Sequence, residues 1–179
     1  IRVNTNMHWT PKNKLFQVLK TFNNVQLTMS ADALYDKFNY IRNGSNWDTF
    51  MKNLRFVKQN TNFDIRVNMI FSVINAIDIC NLIKFFYFEE QIQDITINLL
   101  YSPKEIDSRN YPSNKKEKIV NDIKELINTI STKHINLINN LKNCINQMQL
   151  DNEYEYNNCL DSITKSHTKK WQLVFKDLV

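Results

Sequence analysis

Four short runs rich in apolar and β-branched residues, separated by stretches with helical spacing, set the strongest limit on how this chain can fold. The runs are residues 1–6, 25–30, 63–74 and about 92–101, and each gap between them holds an amphipathic segment. Strands that alternate with helices in this way pair in parallel through crossovers. In the first gap Pro11 suits an opening helical turn, ahead of an apolar face of Leu15, Phe16, Val18, Leu19 and Phe22. In the second, Asn46 reads as the N-cap of a helix from Trp47 to about Gln59, with Phe50, Met51, Leu54 and Val57 on its buried side. Ile77 to Phe88 is helical by its apolar density. Continuous runs such as MIFSVI predict strands covered by helices rather than one-sided strands. The expected fold class is α/β, with four parallel strands in chain order and helices on one side: half a barrel or a small open sheet.

Beyond Tyr101 the pattern changes. A polar loop, Pro103 to Pro112, leads to one long helix expected from Ser113 to Gln149, its apolar stripe passing through Ile119, Ile130, Leu141 and Met148. At 1.5 Å per residue it would reach about 50 Å if unbroken. Residues 152–179 read as another helix pair. The chain is thus expected to divide into 1–112, carrying the strands, and a helical extension over 113–179. A stripe of this length also allows a second functional reading, a non-catalytic binding module that docks a partner along the helix.

Composition narrows the classes. The formal charge is +5, but Lys and Arg are interspersed with Asp and Glu, and the densest run, KKEK at 115–118, falls where a helix starts. That arrangement points away from nucleic acid. No window approaches the roughly 20 apolar residues of a membrane span. The opening residues lack the order of a signal peptide. Cys80, Cys144 and Cys159 are an odd, widely spaced set, which points to the cytoplasm rather than to a disulfide scaffold. They also lack metal-site spacing, alone or with His134 and His167. Asparagine supplies 27 of the 179 residues, so a single Asn carries little information. A chain that opens at Ile1 inside a strand-like run reads as a fragment.

Parallel α/β folds bind ligands at the carboxyl ends of their strands. The polar residues expected there are Thr5 and Asn6, Ser30 and Asp32, Ser72 and Asn75, and Tyr101 and Ser102. Ser30 and Asp32 suit ribose hydroxyls or an ammonium group, and Arg42, two residues before the chain's only glycine, suits a carboxylate. The alternative reading of these residues is that they cap helices or close turns. No nucleophile–base pair and no Gly-rich phosphate loop is present.

The segment VQLTMSADALYDKFNYIRNGSNWDTFMKNL resembles the region after the fourth strand in twitch- and SPASM-type radical S-adenosylmethionine enzymes. The shared elements are Ser30, Asp32, Tyr40-Ile41-Arg42, Gly44-Ser45, Trp47 and Asn53-Leu54. RVNTNM resembles the end of the preceding strand, RVNMIFSVINAIDICNLIKFF the next strand and helix, and ITINLLYSPKEIDSRNYPSNKKEKI a later strand with its loop. The resemblance covers about residues 1–125. It implies the C-terminal part of a partial (β/α) barrel that binds S-adenosylmethionine and a [4Fe-4S] cluster, takes electrons from a donor, and abstracts hydrogen from a peptide or small metabolite. By the same resemblance Ser30 and Arg42 hold the methionine or ribose part of the cofactor. Thr5, Asn6 and Asn75 line the same mouth, and Asp32 organises the loop. The C-x3-C-x2-C that binds the family's cluster is absent here, and the three cysteines do not match the auxiliary-cluster set.

Overall fold

The computed structural model describes residues 1–10, 12–150 and Val174. Four strands, β1 (Arg2–Thr5), β2 (Gln26–Ser30), β3 (Asp64–Phe71) and β4 (Ile95–Leu99), form one parallel sheet in the order β1-β2-β3-β4. The expected α/β class and strand order are present. Register places Leu27 beside Ile65, Met29 beside Val67, Val67 beside Ile95, and Met69 beside Ile97. These odd-numbered side chains point to one face, because successive residues of a strand alternate sides. That face carries the core.

The helices that cover it are α1 (Lys14–Leu19), α2 (Tyr35–Ile41), α3 (Trp47–Asn60) and α4 (Ile79–Lys84), the last continuing into a π turn at Phe85–Glu89. Asn46 caps α3 as its sequence predicts, its side chain accepting from the Thr49 amide at 2.9 Å. Beneath the covered face, Trp47 stacks on Phe50 at 5.5 Å and meets Phe38, Phe85 and Phe86 edgewise or tilted. This cluster joins α2, α3 and the π turn into one layer, and truncating a ring such as Phe50 would cost about 3–5 kcal/mol.

Four features differ from expectation. Helices lie on one side, as the fold class requires, but the strands are one-sided where MIFSVI predicts otherwise: Arg2, Asn4, Thr28, Arg66, Asn68, Thr96 and Asn98 lie on the uncovered face, all of them exposed or half-buried. MIFSVI reads as continuous because it straddles the end of β3 and the following loop, where the alternation stops. The face expected for α1 is only half used, since Phe16 and Leu19 are buried while Leu15, Val18 and Phe22 are exposed. A helix of 6 residues at the β1 edge has too little sheet beneath it to cover all five. The stretch after Ala33, whose mixed composition predicts no element, contains α2.

The long helix is two helices, α5 (Ser113–Thr129) and α6 (Ile135–Met148). Ile130 adopts an extended conformation, and Thr132–His134 form a single 3-10 turn. Thr129, Ser131 and Thr132 surround this break, and short hydroxyl side chains compete with helical backbone bonding. The Thr129 hydroxyl donates back to the Leu126 carbonyl at 2.7 Å. The apolar stripe is buried: Ile119, Ile123, Leu126, Leu137, Leu141, Cys144 and Met148 share one core with the sheet. A partner therefore finds no stripe exposed along α5 and α6. The helix pair expected over 152–179 lies outside the described residues, apart from Val174. No helix among the described residues is long and apolar enough to cross a membrane.

Candidate functional site

The carboxyl ends of β2 and β3 are held by side chains rather than by further strand pairing. Asp32, 7% exposed, follows β2 and accepts the Ile70 amide through Oδ1 at 2.8 Å. Asn75, 2% exposed, donates through Nδ2 to the carbonyls of Asp32, at 2.9 Å, and Ile70, at 2.5 Å. Its Oδ1 accepts from the Ser72 amide at 2.9 Å and the Ser72 hydroxyl at 3.2 Å. Both ends of the Asn75 amide are thus engaged within the loop. The residue acts as a stitch that fixes the strand ends, not as a free ligand group.

Arg42 completes this corner. It stands at the C-cap of α2, where the Ser45 amide bonds back to its carbonyl at 2.8 Å and Gly44 takes φ +84°, a left-handed turn that glycine adopts without strain. Its Nη2 donates to Asp32 Oδ2 at 2.7 Å. Its Nε has no protein partner, and its side chain is 22% exposed. A guanidinium offers five donors in a planar fork. Arg42 is therefore fixed by Asp32 at the rim, with its unpartnered Nε shut away from solvent.

The other expected residues are dispersed. The Thr5 hydroxyl accepts the Met7 amide at 2.9 Å, and Thr5 lines an apolar cavity of about 100 Å³ with Val3, Trp9, Phe16 and Leu27 on the helix side of β1. Asn6 closes an Asx turn, its Oδ1 accepting the His8 amide at 3.0 Å. Asn53, buried in α3, pins the same loop by donating to the Met7 and Trp9 carbonyls at 2.7 and 2.6 Å. Ser30 alone of the expected strand-end hydroxyls and amides stands on the uncovered face, level with Asn68.

That face carries residues absent from the sequence-based candidate set. Asn4, Thr28 and Arg66 align across three strands, as do Ser30, Asn68 and Thr96, and then Ile70 and Asn98. Asn98 donates to Asn68 Oδ1 at 2.5 Å. At the amino end Arg66 bonds Asp64 at 2.8 Å and Asp94 at 2.9 Å. Partial burial works to raise the Asp64 carboxyl, but hydrogen bonds from Arg66 and Gln26 outweigh it and hold the group below its ordinary range. The signal for these residues is the polar residue at every second strand position.

Past β4, Asp107 is 1% exposed and accepts from the Arg109 backbone at 2.9 Å, from Arg109 Nε at 3.0 Å and Nη2 at 2.9 Å, and from Gln147 Nε2 at 2.8 Å. This closes the Pro103–Pro112 loop onto α6. Among the described residues no group of three or more His, Cys, Asp or Glu side chains gathers for a metal. Burial pushes the thiols of Cys80 and Cys144 up to about 12, so both are protonated and poor ligands at neutral pH. Cys159 and His167 lie outside the described residues. No known family model, curated protein or solved structure matches the chain.

Proposed function

We propose that this chain forms the later strands of a radical S-adenosylmethionine enzyme's barrel, with its uncovered face turned to the cofactor and substrate. One observation carries the reading: parallel strands in chain order, all covered on one side, leave a polar face that ends at the paired Arg42–Asp32 corner. In barrel folds the carboxyl ends of the strands are where ligands are held. The residues present fit the organic cofactor. Arg42 offers a positive charge for its carboxylate, already aimed by Asp32, and the Ser30 hydroxyl suits its ribose or ammonium group.

The residues present do not fit an iron–sulfur cluster. The two described thiols are buried and protonated, and no metal-binding group gathers among the described residues. No step through a cluster is therefore assigned to this chain. Its share of the chemistry is to bind S-adenosylmethionine and orient it. Calorimetry tests the first part: S-adenosylmethionine binds the chain, and Arg42→Ala weakens it about tenfold or more, as expected for a lost charge-assisted bond. The second part needs a form of the protein that carries C-x3-C-x2-C. Under reducing, oxygen-free conditions it releases 5′-deoxyadenosine; absence of that product sinks the reading.

A further inference from the structure

We infer that Asn43–Gly44 is a self-modifying site, at which Asn43 cyclises onto the Gly44 nitrogen and is hydrolysed to aspartate or isoaspartate beside the Arg42–Asp32 pair. The inference stands apart from the proposed function and needs no ligand. Asparagine is a chemically labile residue, because its side-chain carbonyl carbon lies within reach of the next residue's backbone nitrogen. A side chain on that next residue crowds the approach, and glycine has none. The chain holds 27 asparagines and one glycine, so Asn43 alone is followed by a residue without a Cβ.

The fold leaves this pair open to reaction. Asn43 and Gly44 are both exposed, in the turn that joins α2 to α3. A Cβ built on Gly44 would meet no atom within 4 Å, so the space beside the attacking nitrogen is clear. The Ser45 amide closes the turn on the Arg42 carbonyl at 2.8 Å and bypasses the Gly44 amide, which donates to no acceptor among the described residues. The flanking asparagines are committed: Asn39 Oδ1 accepts the Trp47 amide at 2.6 Å and Asn46 Oδ1 the Thr49 amide at 2.9 Å. The Asn43 side chain has no partner among the described residues. In the reaction the Gly44 nitrogen bonds to Asn43 Cγ and loses its proton to hydroxide. The bond from Cγ to the side-chain nitrogen breaks, and that nitrogen takes up a proton and leaves as ammonia. Water then opens the cyclic imide. Cleavage of the new bond leaves aspartate; cleavage at the main-chain carbonyl leaves isoaspartate, with the backbone rerouted through Cβ and Cγ. Either product sets a second carboxylate near a guanidinium that already has one in Asp32.

The test holds the full chain at mildly alkaline pH for days and follows it by peptide mapping. Cleavage after lysine releases residues 38–52, and fragmentation of that peptide separates Asn43 from Asn39 and Asn46. Conversion of Asn43 in the folded chain is expected within about tenfold of its rate in a free peptide of residues 38–52. Ammonia should appear in equal amount, and the rate should climb with hydroxide. Methyl transfer by an isoaspartyl methyltransferase identifies the isoaspartyl product, and ion exchange shows the added negative charge. Asn46, which precedes Trp47, is the internal control and should stay intact. Asn43→Gln should abolish the conversion in a chain whose thermal melt is unchanged, and Gly44→Ala should slow it about tenfold or more. An Asn43 that stays intact in the folded chain while the free peptide converts overturns the inference. So does conversion at Asn39 or Asn46 at the same rate. Neither result touches S-adenosylmethionine binding, so the proposed function is judged separately.

Discussion

Two aspartates in this molecule are buried to nearly the same degree beside an arginine, and they do different work. Asp107 accepts four donors, all from its own loop and from Gln147 of α6. Asp32 accepts one backbone amide and one donor of Arg42, whose Nε remains unpartnered. The first arrangement is closed upon itself; the second holds an arginine in place and leaves one of its donors buried without a partner. Saturation, rather than burial or residue type, separates a structural clamp from a candidate site.

Substitutions break this contrast in graded ways. Asp107→Ala removes the acceptor that Arg109 and Gln147 share, and should lower unfolding free energy in urea by about 3–5 kcal/mol. A loss below about 1 kcal/mol would mean that the loop is not clamped. Asp32→Ala strands only the Ile70 amide, because Arg42 can turn to water, and should cost about 1–3 kcal/mol by the same measurement. Gly44→Ala should cost about 1–2 kcal/mol, all of it from the backbone conformation, since a Cβ there meets no atom within 4 Å. Gly44→Asn should recover part of that loss, which thermal melts would show. Arg42→Gln keeps an amide for Asp32 and should cost at most about 1 kcal/mol. Under the proposed function its larger effect falls on ligand binding, and calorimetry with S-adenosylmethionine should register it more strongly than any melt.

The sheet is legible in the sequence because its signals are redundant. Leu27 and Met29, Val67 and Met69, and Ile95 and Ile97 each mark a buried face, and helices with the right spacing lie between them. The break at Ile130 is hidden for the opposite reason: Ile127, Ile130 and Leu137 continue the helical stripe, and the two helices share one core across the turn. The Asp32–Arg42 corner can be anticipated from residue types, though not the use of Asn75 as a stitch, which depends on where the Ile70 carbonyl lies near the end of β3. Asn68 and Asn98 do not stand out, because the chain is rich in asparagine. In a sequence with 27 of them, position within the strand carries the meaning that residue type does not.

The two-sidedness of the sheet separates two kinds of inheritance. Met69 is fully buried beneath the helices, while its neighbours Asn68 and Ile70 are only half-buried on the other side. Substitutions at Thr28, Asn68 and Asn98 change the open face and leave Leu27, Met69 and Ile97 untouched. The core and the open face are thus written in alternate letters of the same four words, and drift in one need not corrupt the other.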